Sequence, residues 1–450
     1  MQKTFWREYS EIFFIGIGGV SMSALAEYLR VSGFVVSGSD IEENVRVAAL
    51  RNKGIRVEIG HRAENLGDAQ VVIYSSAIGK NNPEKLFAEA KGIPLVSRAE
   101  LLAIVAEGYE HTVAFAGSHG KTTATALCAH VFANCSSEVT AHIGGEDLQF
   151  GNIHIAGKRF FITEACEYMG NFLKLTPEAG VVLNTDADHL DYYGTPKKLE
   201  EVYCEFCEKC KCKILCRDDK ISSLCHADVT FGLSAKSDVC AENIFEQGGK
   251  YSFTLRTCGE LMDRIKLNVY GKHNIYNALA AAAVGLRYGF PPYLIADGIG
   301  KFQGVRRRFE ELGCYKGAVF IADYAHHPKE ISAALQTAHE FCKGRTIVIF
   351  QPHTYSRTKL LFNDFVNVLA SVEHLVIYKT YAAREYFDEE GCALTLSEHL
   401  PKALYIETVK EFALYIERTV RGGDTVLILG AGDIYTIARR TLRQLTGKNI

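Results

Sequence analysis

With 450 residues, 48% of them apolar and 23% charged, the chain has ordinary globular composition and enough apolar material for several cores. A formal charge of −3 offers no general attraction to nucleic acid or to an anionic membrane, so local sites must meet any anion it binds. Residues 1–8 lack the basic-then-apolar order of a signal peptide, and no apolar run nears membrane-spanning length. The expectation is a cytoplasmic protein with no membrane insertion and no nucleic-acid partner.

In chain order, residues 11–15 (EIFFI) read as a buried strand running into the turn Gly16-Ile17-Gly18-Gly19 and then a helix. That is the opening of a dinucleotide-type fold, with Ser21 in the third glycine position of G-x-G-x-x-G. Residues 34–40 give a second strand ending on Asp40, placed to meet a ribose hydroxyl. The fingerprint suits NAD and equally any other diphosphate-bearing nucleotide. Further βα alternation at 54–57, 71–77 and 93–97 closes a first domain near residue 107, through a helix that starts at Arg98.

Residues 113–127 hold the strongest signal. A short apolar run, the turn Gly117-Ser118-His119-Gly120-Lys121-Thr122-Thr123 and a helix-forming run make a strand, a loop and a helix N-terminus. Glycines let several N–H groups point at one anion, and the helix dipole adds positive potential there. Lys121 supplies a point charge for the outer phosphates and Thr122 a hydroxyl for Mg²⁺, so the favoured ligand is a nucleoside triphosphate. Gly117 stands only three residues before Gly120, a shorter spacing than G-x-x-x-x-G-K-[ST]. Two later strands end on polar residues, Glu164 in the first and Asp188 and His189 in the second. Carboxylate and imidazole at strand ends suit a metal beside phosphates. Residues 216–269 look strand-rich; a helix then starts near Gly271, with Asn274 as its cap and Asn277 facing the same way.

Three arginines, Arg306, Arg307 and Arg308, fall at a domain joint, where an anion clamp competes with a solvated face. The third domain is again α/β. Strands at 318–323, 345–350 and 425–429 each run into a polar cluster: Asp323-Tyr324-Ala325-His326-His327, His353 with Arg357, and Gly430-Ala431-Gly432. All three clusters are expected on one rim. Cys204, Cys207, Cys210, Cys212 and Cys216 invite a metal cluster, but those at 204 and 207 share a helical rhythm. Reduced, buried thiols without disulfides are the better account.

The ordered set GIGGVSMSALA, GSD, GSHGKTT, EACEY, DADHLD, GKHNIYNALAA, RRRFE, DYAHHP and QPHTYSRT resembles the Mur ligase family along essentially the whole chain. The resemblance implies an α/β protein of three domains: a Rossmann-like UDP-sugar domain over 1–107, a central P-loop ATPase-like domain over 108–304 and a Rossmann-like amino-acid domain over 305–450. It implies a peptidoglycan ligase that spends ATP, with Mg²⁺, to join L-alanine to the lactyl carboxylate of UDP-N-acetylmuramate through an acyl phosphate. Within the family, a ligase that recycles a murein peptide is the alternative; outside it, a nicotinamide-dependent oxidoreductase. A homodimer is one open oligomeric state.

By the same resemblance, residues 117–123 with Asn274, Asn277 and Asp323 bind the nucleotide, and Thr122, Glu164 and His189 hold the metal. Gly16, Gly18, Gly19 and Asp40 lie along the UDP moiety. Arg308, His326 and Arg357 surround the phosphates and the reacting carboxylate, while Tyr324 and His353 stand beside the amino acid. Lys121, His189, Arg308, His326, His353 and Arg357 form the catalytic set, with His326 or His353 as the base. EACEY departs from a more acidic family form at Cys166, which removes one potential ligand.

Overall fold

The computed structural model describes residues 8–186, 190–342, 344–383 and 385–447. It has the three-domain α/β architecture, built around three sheets.

In the first sheet, β1 (Glu11–Ile15), β2 (Val35–Asp40), β3 (Arg56–Ile59), β4 (Val71–Tyr74) and β5 (Leu95–Ser97) lie in the order β3-β2-β1-β4-β5, all parallel. Helix α1 (Val20–Val31) follows the glycine turn, and α2 (Arg98–Ala106) opens with a Ser97–Glu100 capping box. Strands covered on both faces need no apolar–polar alternation, which is why EIFFI is a continuous apolar run.

The second sheet comprises β6 (His111–Ala116), β7 (Val139–Asp147), β8 (Gly151–Ile155), β9 (Phe160–Glu164), β10 (Ala179–Val182), β11 (Cys212–Cys216), β12 (Val229–Gly232), β13 (Val239–Gln247), β14 (Lys250–Thr257) and β15 (Glu260–Tyr270). Its order is β15-β14-β13-β12-β11-β10-β6-β9-β7-β8, which seats β6 between β10 and β9. Helix α3 (Lys121–Cys135) leaves β6, α4 (Pro196–Glu208) precedes β11, and α5 (His273–Arg287) follows β15.

The third sheet holds β16 (Glu310–Tyr315), β17 (Ala318–Asp323), β18 (Thr346–Phe350), β19 (His374–Tyr378), β20 (Ala403–Ile406) and β21 (Thr425–Leu429), ordered β16-β17-β21-β18-β19-β20. Its strands are parallel except for the β16–β17 pair. Helices α6 (Pro328–Phe341) and α7 (Tyr355–Leu360) start at its carboxyl edge.

Packing divides the chain into two compact units. One takes residues up to 244 with 252–266 and 273–303; the other takes 245–251, 267–272 and the chain from 304 on. The first two sheets fall into one unit because one apolar cluster runs from Ile12 and Leu25, through Leu101 and Tyr109, to Phe161, Tyr203 and Ile221. The third sheet has its own cores, one about Phe350 and Phe365, the other about Phe412 and Ile428.

All fourteen cysteines are free thiols. Cys204 and Cys207 lie on α4, whose apolar side buries Leu199, Val202, Tyr203 and Phe206, and Cys210, Cys212 and Cys216 are buried beyond it. Among the described residues no group of three His, Cys, Asp or Glu could hold a metal ion. Cys258 and Cys314 are exposed. A thiol reagent such as a nitrobenzoate disulfide should therefore label these two first in the native protein, the buried thiols following only on denaturation. Equally fast labelling of the buried thiols would contradict this packing.

Candidate active site

The first unit carries the phosphate turn. Gly117 and Gly120 have φ of 143° and 84°, a conformation that favours glycine, and they let the chain leave β6 and enter α3 within a few residues. Asn184, just past β10, fixes the turn: its side chain accepts from His119 N at 2.8 Å and donates to His119 O at 3.0 Å. The Ser118 hydroxyl donates to Asp186 O at 2.8 Å. The amides of Lys121, Thr122 and Thr123 find no carbonyl in the turn, leaving the open end of α3 as an anion seat.

Lys121 Nζ donates to Gly117 O and to Glu167 Oε1 at 3.0 Å. Burial works against its charge, but Glu167, Cys166 and Glu164 outweigh burial and raise its pKa. The lysine is thus held as a cation at the foot of the turn. Glu164 ends β9 opposite Phe115 of β6, and its Oε1 accepts from Gly144 N at 2.7 Å. A Cβ at Gly144 would stand only 2.3 Å from that oxygen, so the carboxylate occupies space that only glycine leaves.

Asn274 is the second residue of α5, two residues inside the cap position it was expected to fill, because the helix starts at His273. Its Oδ1 accepts from Asn277 Nδ2 at 2.8 Å. Asn277 Oδ1 sits where a Cβ on Gly120 would come within 2.5 Å, so the asparagine pair abuts the phosphate turn. Asp188 and His189 lie outside the described residues. The Thr122 hydroxyl and the Glu164 carboxylate are hard oxygen donors at one strand edge, a set that suits Mg²⁺ completed by phosphate oxygens.

In the same unit the glycine turn is tied down from two sides. Gly18 N donates to Asp40 Oδ2 at 2.7 Å, and Asp40 Oδ1 accepts from Ile41 N at 2.8 Å. Asp40 therefore braces the turn through Oδ2, while Oδ1 closes on the amide of the next residue. A second link had no signal in the sequence. The Thr163 hydroxyl donates to Glu164 O at 3.2 Å and meets His142 Nδ1 at 3.0 Å. His142 Nδ1 must then carry the proton, and Nε2 accepts from Ser21 Oγ at 2.8 Å. Ser21 Oγ in turn accepts from Arg98 Nη1 at 3.2 Å. The chain Arg98–Ser21–His142–Thr163 joins the start of α1 to the strand that carries Glu164.

The second unit carries the other cluster. Strands β17, β21 and β18 are parallel neighbours, so the three polar clusters that follow them share one rim. Asp323 accepts from Phe309 N and Ala325 N, each at 2.8 Å. Burial pushes its pKa up to about 6, although Arg308 and those amides pull the other way.

The three arginines separate by partner. Arg306 pairs with Glu310 at 3.4 Å, while Arg307 donates to Gly430 O and Gly432 O at 2.8 and 3.0 Å. Arg308 lies 5.4 Å from the Tyr324 ring centre and its guanidinium donates to no acceptor among the described residues.

His326 Nδ1 lies 3.0 Å from Tyr324 O and 3.3 Å from Glu330, so that nitrogen is the donor and Nε2 an acceptor with no hydrogen bond among the described residues. The His353 ring is 5.8 Å from the His326 ring. Arg357 Nη1 donates to His353 O at 3.1 Å and approaches its Nδ1 at 3.4 Å, which leaves the proton on Nε2. Burial lowers His326 despite the opposing Glu330 charge, with Arg357 adding to the shift, and burial with His326 and Arg357 lowers His353 to about 4. Both rings are neutral near pH 7.

Three family descriptions match the chain in order: "Mur ligase family, catalytic domain" over residues 11–110, "Mur ligase middle domain" over 115–285 and "Mur ligase, glutamate ligase domain" over 307–432. The UDP-N-acetylmuramate–L-alanine ligase of Alkaliphilus metalliredigens is 40% identical over 97% of this chain and 98% of its own. The protein of that name from Clostridium acetobutylicum is 40% identical over 96% and 97%. The solved UDP-N-acetylmuramate-alanine ligase of Thermotoga maritima superposes with a TM-score of 0.85 at 29% identity, covering 97% of this chain and 99% of that one. A murein peptide ligase from Psychrobacter arcticus reaches 0.75 at 19% identity over 98% and 99%, a likeness of fold alone.

Burial, then the Arg98 charge, lowers the pKa of His142 from 6.5 to about 3. A depressed imidazole contributes stability that is present above its unfolded value and lost as pH falls through its folded one. Wild-type stability should therefore decline as pH drops from 6.5 toward 3, and His142→Gln, which cannot titrate there, should flatten that limb of a denaturant-midpoint profile. An unchanged slope would contradict the buried neutral ring.

Proposed function

The chain belongs to the Mur ligase family, and from that premise we infer that it is the ATP-dependent ligase that joins L-alanine to the lactyl carboxylate of UDP-N-acetylmuramate in peptidoglycan synthesis. The observation that carries ATP use is the lysine-tipped turn at the end of β6. The choice of alanine rests on the activity for which the relatives are named.

A carboxylate is an inert acyl donor because its leaving group would be oxide. In the mechanism we propose, a carboxylate oxygen attacks the γ-phosphorus, ADP departs, and the resulting acyl phosphate has phosphate as its leaving group. The alanine amine then attacks the carbonyl carbon, phosphate leaves, and the amine proton passes to a base. Phosphoryl chemistry of this kind is chiefly positioning and charge neutralisation.

Lys121 and the open amides of α3 hold the outer phosphates, with Asn274 and Asn277 steadying the turn beneath them. Thr122 and Glu164, together with His189, would hold Mg²⁺, which when bound offsets charge on the transferring group. Arg308 is the arginine left free to meet the phosphate or the carboxylate, since Arg306 and Arg307 are already spent on protein acceptors. His326 is the better base, because its Nδ1 proton is committed to Tyr324 O and Glu330 and its Nε2 lone pair is free. His353, with its proton on Nε2, serves as a donor beside Tyr324. Gly16, Gly18 and Gly19 bring backbone close to the UDP moiety, and Asp40 holds that turn in shape.

Two outcomes test this reading. Lys121→Ala should cut phosphate release with UDP-N-acetylmuramate, ATP and an amino-acid panel by about 100-fold or more, as loss of a preorganised charge does; alanine should lead the panel in the wild type. Full activity in the variant, or release independent of the sugar nucleotide, would overturn it. The acid limb of kcat/KM should lie below the ordinary imidazole value of 6.5, since burial lowers His326, and His326→Gln should remove that limb along with most of kcat. A limb at or above 6.5 would assign the base elsewhere.

A further inference from the structure

Helix α7 carries Arg357 but does not cap itself. Thr354, at its N-cap, makes no capping bond; its hydroxyl meets Ser356 Oγ at 3.1 Å instead. The cap comes from a residue 29 positions beyond Ser356 in the chain. Glu385 accepts from Ser356 N at 2.8 Å and from the Ser356 hydroxyl. Burial alone would push the Glu385 carboxyl up, but Ser356, Thr354 and the Tyr355 amide hold it below the usual range, so it caps as a carboxylate.

The segment around Glu385 grips the same loop at other points. Tyr381 stacks on His353, ring centres 5.5 Å apart at 13°, and its amide donates to Pro352 O at 2.9 Å. Lys359 of α7 pairs with Asp388 at 3.1 Å and with Glu390 at 2.6 Å. Gly391 comes so near that a Cβ there would lie 2.1 Å from Tyr355 O.

We propose that Glu385 is a positioning residue for the ligase reaction: by capping α7 from outside, it fixes Arg357, and through the Arg357–His353 contact it fixes His353. The proposal rests on the reading of Arg357 and His353 given above. A six-residue helix has little cohesion of its own, so an uncapped first turn frays and carries Arg357 with it. The ion pairs of Lys359 sit on the surface and cannot substitute, since pairs of that kind hold weakly. The carboxylate that receives a main-chain N–H is the part that sets the helix start.

The test is steady-state phosphate release by Glu385→Ala, Glu385→Gln, Glu385→Asp, Arg357→Lys and the Glu385→Ala/Arg357→Lys double variant. Glu385→Ala should lose up to about 100-fold in kcat/KM, mostly in kcat, as a displacement near 1 Å does. Glu385→Gln, which still accepts from the Ser356 amide, should recover most of that loss. Glu385→Asp, one methylene short, should not. The double variant should be little worse than Arg357→Lys alone, because both changes remove the same positioning.

Wild-type activity in Glu385→Ala alongside a disabled Arg357→Lys would overturn the proposal, as would losses that add in full. If Glu385→Ala does not fold, an Asp variant more active than the Gln variant overturns it equally. Full activity in Arg357→Lys is the distinct outcome that would instead refute the role assigned to Arg357.

Discussion

The ammonium of Lys121, set against Glu167 and the carbonyl of Gly117, is the interaction on which the nucleotide end of the molecule depends. Glu167 is almost wholly buried, and breaking a buried ion pair by removing one partner costs about 3–5 kcal/mol. The pair therefore keeps the lysine charged and aimed at the turn. In the proposed reaction a triphosphate competes for that cation with several negative charges where Glu167 has one. The glycines at 117 and 120 give the chain the sharp turn that brings Lys121 to this place, and Asn184 and Asn277 keep the turn from relaxing.

The second unit solves a different problem, that of keeping imidazoles neutral beside guanidinium groups. Burial and the positive charge of Arg357 both disfavour protonation of His326 and His353, at His326 against the pull of Glu330, so the neighbouring cations help keep the rings neutral. The arginine run divides its labour by geometry. Arg306 and Arg307 are fastened to Glu310 and to the carbonyls of Gly430 and Gly432; Arg308 lies near the Tyr324 ring and its guanidinium donates to no acceptor among the described residues. Asp323 organises this turn through the Phe309 and Ala325 amides, so its contribution begins with the backbone.

Much of this was legible in the chain because it is written locally. Strand, glycine turn and helix are all readable in residues 113–127, and three apolar runs each followed by polar residues are enough to place DYAHHP, QPHTYSRT and the Gly430 loop at one edge. What the sequence hid depends on contacts between distant residues. His142 lies 121 positions from Ser21, and Glu385 lies 29 from Ser356; neither spacing has a local period to betray it. Asn274 was misplaced by two residues because Gly271 and Asn274 both carry end-of-helix chemistry, and only the observed start at His273 separates cap from first turn. The bond from Gly18 N to Asp40 was equally out of reach, since 22 positions separate the two residues. Cys204 and Cys207 were legible as thiols packed on a helix, since their helical rhythm is itself a local signal.

The central claim is that the lactyl carboxylate is activated by phosphoryl transfer at the Lys121 turn before alanine attacks. The most direct measurement is to supply UDP-N-acetylmuramate labelled with ¹⁸O in that carboxylate and follow the label by ³¹P spectroscopy during turnover with ATP and L-alanine. The account predicts one labelled oxygen in each inorganic phosphate released, carried over from the acyl phosphate. Phosphate free of label, formed at the same rate as product, would contradict it.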